Sequence, residues 1–344
     1  MTTFIIDIEP VATRYTQQWH THLPRVFGTK DRVRVVSGTL HQPSQTSPGA
    51  FLDFSLTNVY KGSQAVKVAE AFHQGAVRQG DRFIFADAWN PMVLQLRYMS
   101  QLLHIPIEAH GLWHAGSYDP NDFLGRLIGA DPWVRHAEQA MAYAYDRNYF
   151  ATEYHRKIFE DTLGVDRTRT RRVGWPMEYI QHTIAPGHKR DLIVFPHRLA
   201  PEKQLDIFED LRKRLPEYEF VVCQQQQLTK PQYHKLLAEA KIVFSANLQE
   251  TLGISWYEGI CAGATPMIPN RLSYAEMAPH VCYPSEWTES YAQYQKHRHL
   301  VIQHIEQTMQ MPDKMREMEC DMLKQQLDQK YYSSTALLKE IYGA

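Results

Sequence analysis

Residues 245–276, SANLQETLGISWYEGICAGATPMIPNRLSYAE, decide the fold. The residues leading into this stretch, 241–245 (KIVFS), read as a short buried strand. Asn247 to Gly253 is polar and carries a glycine, so it reads as a loop at the strand's carboxyl end. From Ile254 onward, Ile254, Trp256, Tyr257, Ile260 and Cys261 fall at helical spacing. Gly263 stands where a glycine ends a helix, and residues 264–268 return as a strand that runs into a proline. A strand, loop and helix in this order present free backbone N–H groups and the positive end of the helix dipole, which suit a phosphate. Glu250 lies in the loop and Glu258 within the first two helical turns, so both carboxylates can face one crevice. Carboxylates so placed accept hydrogen bonds from sugar hydroxyls.

The rest of the chain repeats this alternation. Strands are predicted at 4–8, 32–36, 82–86, 105–109 and 149–151, with helices over 14–27, 65–77, 90–103, 134–145 and 153–163. Residues 41–50 (HQPSQTSPGA) read as a loop. Residues 171–177 (RRVGWPM) read as a hinge, after which strands at 192–195, 219–223 and 241–245 alternate with helices over 204–214 and 232–240. Short apolar strands alternating with helices predict parallel sheets covered on both faces. The fold class is therefore α/β, with two Rossmann-like parallel-sheet domains facing each other across a cleft. Residues 1–173 form the first domain and 174–325 the second, and a terminal helix over 326–344 is expected to return to the first.

At 344 residues the chain suits two domains of about 150 residues each. Its 44% hydrophobic and 22% charged content is that of an ordinary soluble globular protein. A net charge of −1 offers no overall basic field for nucleic acid, although a local patch would suffice. Cys223, Cys261, Cys282 and Cys320 show no CxxC spacing, which predicts reduced thiols and a cytoplasmic location. MTTFIIDIEP reads as a first strand rather than a signal peptide, and no apolar run approaches the roughly 18 residues that span a bilayer.

Glu250 and Glu258 with Gly253 between them, followed by Gly263-Ala264-Thr265-Pro266, resemble the donor motif of retaining GT-B glycosyltransferases, family 4 in particular. The resemblance implies that Glu250 meets the donor sugar and Glu258 the ribose, with Thr251, Leu252 and Gly253 completing the donor loop. Arg198 and Lys203 straddle a turn in FPHRLAPEK, a fork guanidinium and a point ammonium suited to a diphosphate. In the resembled family such a pair neutralises the leaving diphosphate, and a histidine facing the reacting carbon comes from the first domain. His110 is the expected histidine and His114 its runner-up. No Asp-x-Asp metal motif stands out, so no obligatory metal or other cofactor is expected beyond a nucleotide-sugar substrate, with UDP the expected nucleotide.

One departure is evident. The family's Gly-Gly loop after the first strand is missing, and Asp7-Ile8-Glu9-Pro10 stands there. Asp7 and Glu9 are candidates for an acceptor hydroxyl, or for capping the following helix. Pro196-His197-Arg198 with Glu202-Lys203, and Pro269 to Glu276, resemble glycosyltransferases that decorate modified nucleobases, either viral enzymes acting on hydroxymethylated pyrimidines in DNA or the tRNA-queuosine mannosyltransferase. This resemblance covers about 90 residues of the second domain and implies double-stranded DNA carrying hydroxymethylcytosine as acceptor. Trp113, His114, Arg169 and Arg171 are further acceptor candidates, the arginines because the run 167–172 (RTRTRR) can meet phosphates. The alternatives are a tRNA, small-molecule or cell-envelope acceptor, and a non-catalytic nucleotide-sugar or nucleic-acid binding protein.

Overall fold

The computed structural model describes residues 1–40 and 53–343. The loop read over 41–50 lies outside the described residues. The chain forms two compact units, Met1–Pro176 with Ser334–Ala344, and Met177–Ser333.

The first unit is built on β1 (Thr2–Ile6), β2 (Arg32–Val36), β3 (Arg82–Phe85), β4 (Glu108–Leu112), β5 (Arg147–Phe150) and β6 (Thr170–Arg172). These strands pair parallel in the order β2-β1-β3-β4-β5-β6. Parallel neighbours need crossover connections, and helices supply them. Phe4, Phe83, Phe85, Trp113, Tyr145 and Phe159 form the centre of its core.

The second unit is built on β7 (Arg190–Phe195), β8 (Glu219–Val222), β9 (Ala240–Phe244), β10 (Thr265–Pro269) and β11 (Cys282–Tyr283), parallel in the order β11-β10-β9-β7-β8. Its core gathers Phe195, Phe208, Phe220, Phe244 and Ile305. Among the described residues no helix is long and apolar enough to cross a membrane.

Several elements differ from the expectation. The helix predicted over 65–77 runs from Phe54 to His73, because the Asp53 carboxylate accepts from the Ser55 and Leu56 N–H groups and starts it eleven residues earlier. The fourth strand is shifted three residues toward the carboxyl end. Pro106 has no N–H for the ladder, and pairing begins only with Glu108 opposite Arg82. His110 therefore sits mid-strand rather than at the strand's end. β6 and β11 were not anticipated; one is a basic run with no apolar alternation and the other has only two residues.

The helix Ile254–Cys261 lies very close to β9. A Cβ on Gly259 would stand 2.3 Å from Cγ2 of the buried Val243. We expect Gly259→Ala to destabilise the second unit by about 1–3 kcal/mol through overpacking. Urea unfolding followed by tryptophan fluorescence checks this, and an unchanged midpoint refutes it.

Candidate active site

Three adjacent strands of the second sheet, β9, β7 and β8, end in loops that carry most of the predicted donor residues. β7 leads through Arg198 into the turn Pro201–Lys203, and β9 leads through Glu250 and Gly253 into the helix Ile254–Cys261. β8 leads through Cys223–Gln226 into the helix Lys230–Glu239. In open parallel sheets, the carboxyl ends of the strands are where ligands bind.

The structure brings Lys203 and Glu250 together. Lys203 Nζ lies 3.5 Å from Glu250 Oε2 and donates to the Gln249 carbonyl at 2.6 Å. Arg198 pairs with Glu202 at 2.6 Å, and the Glu202 carbonyl accepts from the Leu248 N–H, which ties the two loops to each other. Burial works against ionisation of the Glu202 carboxyl, but Arg198 and Lys203 outweigh it and hold its pKa below the ordinary value. His197, buried behind this turn, is pushed well below its ordinary pKa by burial and by the Lys203 charge, so it is neutral near pH 7. Leu252 is buried. Thr251 precedes it in the loop, at intermediate exposure.

Gly253 opens the helix at φ +85°, and a Cβ there would meet the Trp256 ring at 2.4 Å, so both backbone and space demand glycine. Tyr332 donates to its carbonyl.

Glu258 is buried, yet its carboxylate is well supplied. Lys230 Nζ lies at 2.5 Å, the Tyr233 hydroxyl donates at 3.0 Å and His234 Nε2 is 3.9 Å away. Burial alone would raise its pKa, but Lys230 and His234 overcome it and bring the carboxyl down to about 2. Glu258 is therefore charged at neutral pH.

The loop after β9 is held by residues that sequence reasoning missed. Arg271 donates to the Ala246 carbonyl at 2.8 Å and the Asn247 carbonyl at 2.7 Å. Gln204 also reaches the Ala246 carbonyl at 2.6 Å, and Tyr283 donates to the Ser245 carbonyl at 2.7 Å. Asn247 Nδ2 donates to the Tyr274 hydroxyl at 2.9 Å and approaches Glu250 Oε2 at 3.4 Å, while its buried Oδ1 has no hydrogen-bond partner among the described residues. Arg271 was visible only as part of the PNRLSYAE resemblance, and Lys230 and Tyr233 carried no signal beyond an amphipathic helix.

The remaining candidates lie in the first unit. Asp7, at the carboxyl end of β1, accepts from the Tyr60 and Ser37 hydroxyls at 2.6 Å each and faces His20 Nδ1 at 3.0 Å. Burial raises its pKa against the lowering pull of these partners. Glu9 accepts from the Thr57 hydroxyl at 2.6 Å. His110 is buried beside Tyr149, 3.1 Å from its hydroxyl, and with Arg82 it holds the Glu108 carboxyl down to about 2. His114, two residues past the end of β4, meets the Tyr15 hydroxyl at 2.8 Å and the Ala86 carbonyl at 2.7 Å, and burial lowers its pKa. Trp113 is a core side chain whose indole N–H donates to Asn148. Arg169 donates to the Tyr143 and Tyr145 carbonyls, and Arg171 to those of Arg167, Thr168 and Thr170, so both serve the local backbone.

No protein-family model matches the chain, and no curated protein matches it in sequence. Solved structures do. WaaG, a glycosyltransferase involved in lipopolysaccharide biosynthesis, matches with a TM-score of 0.60 at 11% identity over 100% of both chains. The fold is GT-B. HepE from Anabaena, in complex with UDP-glucose, matches this GT-B chain at 0.57 and 11% identity over 98% of this chain and 97% of its own. TarM from S. aureus, as a mutant in complex with fondaparinux, α-GlcNAc-glycerol and UDP, matches at 0.55 and 14% identity over 81% of this chain. This chain spans 58% of the length of that TarM, less than two thirds.

The depressed pKa of Glu258 gives a stability signature. An unfolded Glu titrates near 4.5 and the folded one near 2, so its contribution is present above pH 4.5 and is lost as pH falls toward 2. Lys230→Met leaves burial as the strongest influence and should raise the carboxyl's pKa. The drop in stability between pH 4.5 and 2 should then shrink or reverse relative to the parent. Parallel slopes for parent and variant in pH-dependent urea unfolding would refute the assignment.

Proposed function

We propose that this protein is a retaining glycosyltransferase that moves a hexose or pentose from a UDP-sugar to a hydroxyl of a modified base, hydroxymethylcytosine in duplex DNA. The observation that carries the transferase reading is the pairing of Lys203 with Glu250, with Arg198 on the neighbouring loop and Glu258 on the helix that follows, all at the carboxyl edge of the second sheet. HepE and TarM, which share the fold, are bound to UDP-glucose and UDP respectively.

Each residue has a definable task in this reading. Negative charge accumulates on the diphosphate as the glycosidic bond breaks. The Arg198 fork and the Lys203 ammonium meet that charge in a partly dehydrated loop, where such donors act most strongly. Glu250 accepts from the hydroxyls of the sugar. A carboxylate offers about four acceptor positions, and Lys230 and Tyr233 take two of those on Glu258. The others suit the two ribose hydroxyls. Gly253, Thr251 and Leu252 keep the loop close to the donor, and the N–H groups opening the helix Ile254–Cys261 face the phosphates.

His110 is the histidine proposed for the reacting end, with His114 as its runner-up; β4 continues past His110, and His114 follows its carboxyl end. The nucleobase acceptor rests on the resemblance of the PHR…EK and PNRLSYAE segments. A cell-envelope acceptor is the second reading, favoured by the fold shared with WaaG of lipopolysaccharide biosynthesis.

The deciding experiment offers labelled UDP- and GDP-sugars to hydroxymethylcytosine duplex DNA, unmodified DNA and bulk tRNA, with chelator present. Label on the modified duplex alone is the expected result. Donor hydrolysis without labelled nucleic acid keeps the transferase and discards the DNA acceptor, and no turnover of any donor discards both. Arg198→Ala should cut turnover by roughly 10²–10³-fold, with acceptor affinity little changed. Full transfer by that variant removes Arg198 from the reaction.

A further inference from the structure

We propose that the edge of the first unit between β2 and the helix Phe54–His73 is a groove for the phosphate backbone of a nucleic acid. β2 is the end strand of its sheet. Its sequence RVRVV places Arg32 and Arg34 two residues apart, hence on the same face and about 7 Å apart along the strand. Two cavities share Arg34: one of ≈ 370 Å³ between β2 and the helix, and one of ≈ 490 Å³ at the amino ends of β1 and β2 beside residues 76–81. Lys67 from the helix joins the first, and Arg32 and Arg78 join the second.

Four cations thus stand along one edge of a chain whose net charge is −1. The carboxylates lining the two cavities are Glu70 and Asp81. Asp81 is 2% exposed and accepts from the Thr2 and Arg78 backbone N–H groups, which leaves Glu70 as the one acid facing the groove among the described lining residues.

Two of the cations are held in place. The Arg34 guanidinium lies 5.4 Å over the Phe4 ring, and Lys67 Nζ donates to the Ser37 carbonyl at 2.7 Å. Side chains already ordered lose less freedom when a ligand binds. A row of cations in a concave, polar groove fits a row of phosphates, whereas a lipid surface calls for an apolar face to bury. The groove runs from the amino end of β2, at Arg32 and Arg78, to Ser37 beyond its carboxyl end, where the Ser37 hydroxyl bonds Asp7. A strand lying in it arrives at the carboxyl edge of the first sheet. The inference deepens the acceptor part of the function proposed above and rests on it for its purpose.

Binding is tested on the full chain without donor, by fluorescence anisotropy of a dye-labelled single-stranded DNA and of its duplex. Between about 50 and 200 mM salt, log affinity should fall against log salt with a slope of about −3 for the single strand and about −3.5 for the duplex. Arg32→Glu with Arg34→Glu should weaken binding tenfold or more, with the UDP-induced thermal shift unchanged. Lys67→Gln with Arg78→Gln, a milder pair, should weaken it severalfold and serves if the first pair fails to fold. The two DNA arms decide whether the groove takes a single strand or a duplex. No binding by the parent overturns the proposal. Parent-like binding by the folded variants overturns it, as does loss of sedimentation with anionic vesicles in place of loss of DNA binding. Groove-dependent DNA binding without sugar transfer to any nucleic acid would discard the acceptor reading and keep the groove. Transfer to DNA with parent KM in both variants would do the reverse.

Discussion

The loop that leaves β9 is largely buried, and its carbonyls have to find donors away from water. An unpaired buried carbonyl costs about as much as a lost hydrogen bond, of order 1–3 kcal/mol each. Here side chains from distant positions meet that demand: Tyr283 for Ser245, Arg271 and Gln204 for Ala246, Arg271 again for Asn247, and Lys203 for Gln249. Much of the second unit follows from this. Arg271 also donates to the Ser285 and Thr288 carbonyls, so one guanidinium ties the loop to the segment after β11. Lys203 meets both the loop backbone and Glu250, so the residue assigned to the diphosphate also holds the residue assigned to the sugar.

How far this was legible in the sequence depended on how local each signal is. The strand, polar loop, glycine and helix around Glu250 and Glu258 lie within one short stretch, and each step has its own residue signature, so that stretch could be read. The alternation of strands and helices, and with it the two parallel sheets, was legible for the same reason, whereas GT-B was implied by the resemblance of the two-Glu motif. The clamp by Arg271, Gln204 and Tyr283 was not, because side-chain to backbone bonds spanning 24, 42 and 38 positions leave no periodicity. The run 167–172 shows the opposite difficulty. Six residues with four arginines look like a phosphate patch, but Arg169 and Arg171 spend their donors on carbonyls within reach. His110 was misplaced by a single imino acid, since Pro106 delays the start of β4.

The two units use buried charge differently. In the second, Glu258 is kept ionised by Lys230 and His234 against strong desolvation, a carboxylate arranged to accept hydrogen bonds. In the first, Asp7 is ringed by Ser37, Tyr60, Gln64 and His20, and burial still raises its pKa.

The helix Thr335–Tyr342 belongs to the first unit although the whole second unit precedes it in the chain. Tyr342 meets the Thr3 hydroxyl at 3.0 Å and receives the Arg82 guanidinium on its ring, and Glu340 lies 3.4 Å from Arg171. These partners sit on β1, β3 and β6, so this helix meets two interior strands and one edge strand of the first sheet. At about 5–20 residues per second of synthesis, the sheet waits roughly 8–30 s for that helix after Pro176 has emerged. During that interval the first unit lacks the contacts that Tyr342 and Glu340 make with it. The interleaved chain order thus leaves Thr3, Arg82 and Arg171 without these partners until the second unit has been synthesised.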